Sequence, residues 1–550
     1  MKKVKLIVFS TVAIAAFGFY EVTESDLFFK INRGIDLFGK VYKEISLNYV
    51  EEVDPEKFIH SGIDGMLKTL DPYTVYIGED ESDEIDLVTT GKYGGVGITI
   101  GVRDGAVTVV NLLEGFSAAK QGIEIGDKIM QIDTTTVAGS NLDAIRQIVR
   151  GAPGTELRMK IEREGEPKPL EFVLMREEIP VRNVTYAGFA EPNIGYVRLE
   201  RFSRSAGEDV RNAIKELKSQ RELKGLVFDL RDNPGGLLDI AVEITSKFLP
   251  ESSLVVSTRG RKSDSERKYY STEKPMLPDV PLVLLVNSNT ASASEIVAGA
   301  VQDLDRGIVL GTRTFGKGLV QTMTRLSERS VLKITSARYY TPSGRCIQEI
   351  DYAHRSKDGI FPTFPDSLKR EFHTAHNRRV FEAGGIVPDT LVTDERDSKL
   401  IVELYRKAMF FKFANHYASS NKSISPNFDV SDSLLNAFDR YLKEKKFAYQ
   451  EEGELKLKEL STIAEDGRYN KAFVDELKQL QTMVEQEKQR QVERFRNEIR
   501  EALRTEILAR IKGDKARIES TFATDTQLRA AISVVKNKKV YEKLLAGRKK

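Results

Sequence analysis

Two short runs, Gly225–Leu230 (GLVFDL) and Pro281–Val286 (PLVLLV), are apolar almost without interruption. A strand with one face in water alternates apolar and polar residues, whereas a strand without a polar face needs cover on both sides. Each run leads into a helical pattern, Leu237–Phe248 after the first and Ala293–Leu304 after the second. A strand at Ile194–Leu199 and a helix at Gly207–Gln220 come before them. Buried strands alternating with helices predict a layered α/β core whose sheet is covered on both faces.

Before this core the texture differs. From Phe28 the apolar residues recur at Ile31, Ile35, Phe38, Tyr42, Ile45 and Tyr49, the three-and-four stepping of an amphipathic helix. That stripe can pack internally or against a second subunit, and internal packing is the simpler expectation. Asp54-Pro55 predicts an N-cap followed by proline in the first turn of a second helix, which Asp71-Pro72 ends. Between about residues 85 and 178, short strands alternate with glycines and one or two helices. Gly94-Gly95-Val96-Gly97 opens this stretch, which predicts a small, partly open β-barrel. After Asp394 the chain is expected to be helical. Residues 476–512 are highly charged, yet Val492, Phe495, Ile499, Leu503, Ile507 and Ile511 keep helical spacing. The charges read as a solvated face, with a docking site for an adaptor protein as the alternative.

The first twenty residues place Lys2, Lys3 and Lys5 before an apolar run from Leu6 to Tyr20. A basic start followed by about 15 apolar residues is the pattern of an export signal, either cleaved or kept as a membrane anchor. The remainder of the chain is therefore expected outside the cytoplasm. Lys and Arg number 84 against 82 Asp and Glu, so no basic surplus points to nucleic acid. The single cysteine, Cys346, excludes an intrachain disulfide, and the five histidines form no HExxH pattern. Neither a metal nor a cofactor is expected.

Candidate chemistry gathers in three loops. In PLVLLVNSNTASASE (281–295) a strand meets a helix near Ser292. A serine there stands where the partial positive charge of a helix N-terminus favours an alkoxide or oxyanion. The same residues fit a capping box, Ser292 with Glu295, in which the serine only satisfies backbone donors. Both readings stand on this segment alone. Lys317, between Gly316 and Gly318, follows a strand at Gly307–Gly311. To serve as a base it must be neutral, so its pKa must fall about three units from roughly 10.4, equivalent to about 4 kcal/mol. Gln321, four residues on, lies on the same side of a helix or strand and can orient an amine without charging it; taken singly, a surface cation and a surface amide are the simpler readings of Lys317 and Gln321. The loop Asp229–Gly236 (DLRDNPGG) can bring backbone N–H groups of Gly235 and Gly236, with that of Ala293, toward an oxyanion; an ordinary βα turn is the alternative.

Read in order, Gly94–Gly97, GDKIMQID (126–133), DLRDNPGG (229–236), SNTASASEI (288–296), TFGKGLVQ (314–321) and YYTPSGRCIQ (339–348) resemble the carboxyl-terminal processing, or tail-specific, proteases. These are Ser/Lys peptidases that carry a PDZ domain. The chain departs from the family's common pattern at Asn289-Thr290 and at Tyr73. The resemblance implies an α/β multidomain protein with a crotonase-like protease core, an inserted PDZ-type β-barrel and helical ends. It implies Ser292 as nucleophile, Lys317 as base and Gln321 as the residue that positions the lysine. It also implies a peptide site at Gly94, Gly95, Val96 and Gly97. Their amides would hold a C-terminal carboxylate while the following strand pairs with the peptide, and Arg150 would couple binding to activation. The expected domains are 1–20 signal or anchor, 24–84 helical, 85–178 PDZ, 179–394 protease core and 395–550 helical. The expected function is an endopeptidase of the periplasm or the outer face of the cytoplasmic membrane, acting on proteins with apolar C-termini. A homo-oligomer is compatible with this reading. The rivals are a catalytically silent peptide-binding scaffold and a crotonase-like acyl-CoA enzyme.

Overall fold

The computed structural model describes residues 26–78, 91–139, 141–262, 264–327, 330–352, 354, 361–365, 367, 369–393, 398–421, 423–425, 428–464 and 469–546. The expected signal or anchor lies outside the described residues.

The two apolar runs are adjacent strands, Gly225–Asp229 and Leu282–Val286, every residue of both buried. They sit at the centre of a six-stranded sheet in the order Val184–Glu191, Ile194–Leu199, Gly225–Asp229, Leu282–Val286, Ile308–Gly311, Thr390–Leu391. Only the first pair is antiparallel. Side chains alternate between faces. Leu226, Phe228, Leu282, Leu284 and Val286 join a core built with helices Ala206–Gln220, Leu238–Ser246 and Ala293–Asp303. Val227, Val283 and Leu285 point the other way, into a core shared with Ile518, Leu528, Ala531, Ile532 and Val535. The second layer thus comes from the last helices of the chain, Thr526–Lys536 and Lys538–Ala546, with the end of Arg496–Thr521. Tyr541 completes it: its hydroxyl donates to the Leu282 carbonyl (3.3 Å) and accepts from the Leu282 amide (3.0 Å). The C-terminal region is helical as expected, and its last helices pack on the second face of the central sheet.

The preceding C-terminal helices have their own core, in which Leu404, Phe410, Phe413, Phe438 and Leu503 are buried. The predicted stripe on residues 476–512 is split. Ile499, Leu503 and Ile507 are buried on the helix Arg496–Thr521, while on Lys471–Arg494 only Leu477 is.

Residues 98–175 form an antiparallel sheet in the order Ile98–Arg103, Ala106–Leu112, Lys128–Ile132, Glu156–Glu162, Leu170–Met175, with helix Leu142–Val149 packed on it. The first and last strands of this order do not pair, so the sheet is open there. Lys92–Gly95 and Glu177–Pro180 pair antiparallel where the chain enters and leaves this domain.

The chain divides into two compact units, residues 1–79 with 321–335, and the remainder. In the smaller unit Asp54 caps the helix Pro55–Leu67 through the amides of Glu56 and Lys57, as the sequence predicts. The helix at 26–48 keeps most of its apolar stripe exposed, Phe28 at 62% and Ile35 at 65%. Internal packing, the simpler expectation, accounts for Tyr42 stacked on Phe58 and leaves the N-terminal half of the stripe uncovered.

Candidate active site

The turn before Ser292 is held by its own side chains. The Thr290 hydroxyl donates to the Leu230 carbonyl (2.9 Å) and accepts from the Asn287 amide (2.9 Å). The Asn287 and Asn289 side chains both donate to Asp232 Oδ1, at 2.8 and 3.0 Å. The Asn289-Thr290 pair, where the sequence departs from the family, therefore ties the serine turn to the Asp229–Gly236 loop. Ser292 has φ 56° and ψ −117°, a conformation usually left to glycine. Holding a serine there costs about 1–3 kcal/mol, a strain that persists only where the surroundings enforce it.

Glu295 supplies much of that enforcement. Its carboxylate is fully buried and accepts four hydrogen bonds. Oε2 takes the amides of Ser292 (2.8 Å) and Lys317 (2.9 Å), and Oε1 takes the Gly316 amide (2.8 Å) and the Thr314 hydroxyl (2.5 Å). Burial raises its pKa to about 7, against the pull of these donors. One side chain thus brings together the backbones of the two residues proposed from sequence as nucleophile and base. Ser292 and Glu295 form a capping box, closed on the Glu295 side by the Ser292 amide (2.8 Å), so the cap and the brace between the two loops are the same carboxylate. The S-x-x-E spacing was the sequence signal for Glu295, and by itself it did not separate a cap from a brace joining two loops.

The glycine loop divides the expected oxyanion donors. Gly235 (φ +97°) lies so close to the serine turn that a Cβ would fall 2.7 Å from the Ala293 nitrogen. Its N–H, expected to face an oxyanion, instead donates to Asn233 Oδ1 (2.9 Å). Gly235 supplies room, not a donor, in this arrangement. The amides of Gly236 and Ala293 have no acceptor among the described residues.

The same loop is anchored at Arg231, which the sequence reading passed over. Its guanidinium bonds Asp229 (2.6 Å) and Asp525 (2.7 Å), and Asp525 caps the helix Thr526–Lys536 through the Leu528 amide. Burial works to raise the Asp229 carboxyl, but Arg231 overrides it and holds the group below its ordinary value. The Tyr196 hydroxyl donates to the same carboxylate (2.6 Å).

Lys317 is half-buried in the loop before the strand Leu319–Arg325. Gln321 belongs to the smaller unit, where its amide donates to Thr335 (3.2 Å) and Thr335 to Asp71 (3.1 Å). Asp71 also accepts from the Tyr73 and Thr74 amides, so the Asp71–Thr74 turn fixes this chain of contacts.

In the PDZ-like domain, Val96 and Gly97 are buried, and their amides donate no hydrogen bond among the described residues. Two adjacent buried N–H groups left open are a nest for an anion. Gly94 and Gly95 lead into it from the strand Lys92–Gly95. A Cβ on Gly94 would lie 1.9 Å from the Gly151 carbonyl oxygen. Arg150 ends the neighbouring helix and lies over the Tyr93 ring at 5.3 Å. Among the described residues no group of three or more His, Cys, Asp or Glu is placed to hold a metal ion.

Comparison with known proteins agrees with this layout. Residues 193–363 match the model of peptidase family S41, residues 94–174 a PDZ domain, residues 400–535 the C-terminal helical domain of probable PDZ-proteases, and residues 22–81 the N-terminal domain of the activating protease CtpB. A carboxy-terminal-processing protease of Bartonella bacilliformis is 40% identical over 316 residues, 57% of this chain and 72% of its own length. The carboxy-terminal processing protease CtpB of Bacillus subtilis is 34% identical over 339 residues, 60% of this chain and 68% of its own. Among solved structures, the photosystem II D1 C-terminal processing protease aligns at 26% identity over 65% of this chain and 93% of its own, with a TM-score of 0.35. On the strength of the two relatives, matched over more than two thirds of their lengths, the chain belongs to the carboxy-terminal processing protease family.

Proposed function

We propose that this protein is a serine endopeptidase of the cell envelope, with Ser292 as nucleophile and Lys317 as general base, acting on proteins whose C-terminal region enters the PDZ groove. The observation that carries this reading is the buried Glu295 carboxylate binding the amides of both Ser292 and Lys317, which joins the backbones of the two residues.

Lys317 takes the Ser292 proton as Oγ attacks the scissile carbonyl. The oxyanion rests on the Ala293 and Gly236 amides, the former at a helix N-terminus. The lysine returns the proton to the leaving amine, and water then releases the acyl group by the reverse transfer. Gln321 is assigned to orient the lysine. No cofactor is needed. Export follows from the basic and apolar start of the chain, whether cleaved or retained as an anchor. The core's covered sheet suits a crotonase-like plan. The exposed stripe on helix 26–48 supports pairing with a second copy. The helices Glu452–Ile463 and Lys471–Arg494, with almost no buried residue, are the surface open to an adaptor.

The test is proteolysis of an unfolded protein ending in apolar residues by the parent, Ser292→Ala and Lys317→Ala. Loss of cleavage in both variants with unchanged thermal unfolding supports the Ser/Lys mechanism. Undiminished cleavage by either overturns it, and binding without cleavage by the parent favours the silent scaffold.

A further inference from the structure

The open amides of Val96 and Gly97 face a cleft of about 770 Å³ that the PDZ domain does not enclose alone. One wall is the PDZ loop, strand and helix. A second is made by Arg182 of the segment joining PDZ to protease and Arg201 of the core loop between the strand Ile194–Leu199 and the helix Ala206–Gln220. The third is the helix Arg496–Thr521, which breaks at Gly513 (φ 81°, ψ −176°) and then presents Asp514, Arg517 and Ile518 to the cleft. Two walls of a peptide groove are therefore built by other parts of the chain.

The charges in that cleft do not balance. Its lining holds Arg146, Arg150, Arg182, Arg201 and Arg517 against three carboxylates. Each carboxylate already has a partner: Asp143 is bonded by Arg146 (2.7 Å), Asp514 by Arg517 (3.3 Å), and Glu200 by Arg198 (3.2 Å), which lies outside the lining. Arg150, Arg182 and Arg201 have no ion pair among the described residues, and Arg182 and Arg201 are exposed. A bound chain end brings one terminal carboxylate, to be held at the open amides. One negative charge leaves the arginines under-matched, so a complementary ligand carries more.

We propose that this cleft selects chain ends with acidic side chains a few residues before an apolar C-terminal residue, read by Arg182 of the linking segment and Arg201 of the core with Arg517 of the C-terminal helix. Val96, Ile98, Ile100 and Val149 provide the apolar surface for the last residue. The inference rests on the reading of residues 94–174 as a peptide-binding PDZ domain and extends it to residues outside that domain. Substrate choice is then shared by three regions, and an isolated PDZ domain lacks most of the acidic preference.

The experiment uses the full chain carrying Ser292→Ala, so that peptides bind without turnover, and fluorescence anisotropy with four labelled decapeptides. These are a neutral one ending in valine, the same with glutamates third and fifth from the end, the same with lysines there, and the neutral one amidated at its C-terminus. The glutamate peptide is expected to bind about tenfold tighter than the neutral one and the lysine peptide weaker, with the difference shrinking in salt. Adding Arg182→Ala and Arg201→Ala together should remove that preference, the glutamate peptide losing far more affinity than the neutral one. Equal binding of the glutamate and lysine peptides, or a preference that survives both substitutions, overturns the proposal. If the amidated peptide binds as well as its free-acid twin, or none of the four binds, the carboxylate-binding reading fails and the proposal falls with it.

Discussion

The C-terminal helices touch the rest of the protein in two physically different ways. Against the protease sheet, residues 514–546 bury Leu528, Ala531, Ile532 and Val535, and they reach the Asp229–Gly236 loop through the Asp525–Arg231 pair. Against the PDZ domain, the preceding helices make mostly polar contacts near water: Lys412 with Asp104 (2.5 Å), His416 with Glu164 (2.9 Å), Arg510 with Glu124 (3.2 Å), and Arg103 over the Phe411 ring. The first seam excludes water, so its apolar area and its charges act at full strength. Pairs such as those of the second, whose carboxylates stay in reach of water, are worth little more than a surface pair, about 0–1 kcal/mol. The Asp229–Gly236 loop is therefore backed by a seam closed to water, while the PDZ domain meets the C-terminal helices through weaker, wetter contacts.

The largest expected effect comes from deleting residues 513–550. This uncovers one face of the central sheet, and the chain should lose cooperative thermal unfolding and all proteolysis. A truncated chain that still melts cooperatively and cleaves would dissolve the contrast between the seams.

Next comes Glu295→Gln, which puts an amide group where four donors converge and should lower kcat about 10²- to 10³-fold, the scale of losing one organised donor in a site. Its pH dependence sharpens the point. The four-donor arrangement needs the carboxylate, so the parent's activity should rise as pH passes through about 7, and the residual activity of the variant should lack that step. Stability moves the other way. Folding raises this pKa from 4.5, so the folded state is favoured below that pH and loses about 3 kcal/mol as pH climbs to about 7. A pH–activity profile and melting curves at pH 5 and 8 read both trends; an unchanged profile in Glu295→Gln would remove Glu295 from the mechanism.

Asp525→Ala leaves the Arg231 guanidinium with one carboxylate fewer in a buried site, and about 3 kcal/mol of stability should go with it. A fall in kcat at unchanged KM, partly restored by Asp525→Glu, would show that the seam positions the glycine loop as well as stabilising the fold. A loss no larger than that of an exposed pair would contradict the burial argument. The smallest effect belongs to the PDZ seam: Lys412→Ala should cost under about 1 kcal/mol in denaturant unfolding, and 0.5 M salt should mask most of it.

Much of this was legible in the sequence. The runs at 225–230 and 281–286 required a sheet covered on both faces, because nothing in them could face water. The position of Ser292 at the start of a helix followed from the polar turn after the second run. The Asp54 cap, written into adjacent residues, appeared where expected. Glu295 was visible only as half of a capping box, since its partners Thr314, Gly316 and Lys317 are far along the chain. Gly235 shows the opposite failure. Its loop was recognised, but the amide was assigned to an oxyanion when the nearby Asn233 side chain takes it.

The sequence by itself determined what each segment must bury or cap, because strand alternation, helix spacing and turn chemistry act over a few residues. It also determined the family, through motifs in fixed order. Only the tertiary structure decided which helices cover the second face of the sheet. Residues 476–512 carry enough charge to read as a solvated face, and the apolar residues that follow them from Ile518 to Val535 show a use only when Val227, Val283 and Leu285 lie against them. Likewise, the joining of Ser292 to Lys317 by one carboxylate, and of Arg231 to Asp525, depends on buried contacts between distant segments. Their strength comes from the exclusion of water, which no local pattern encodes.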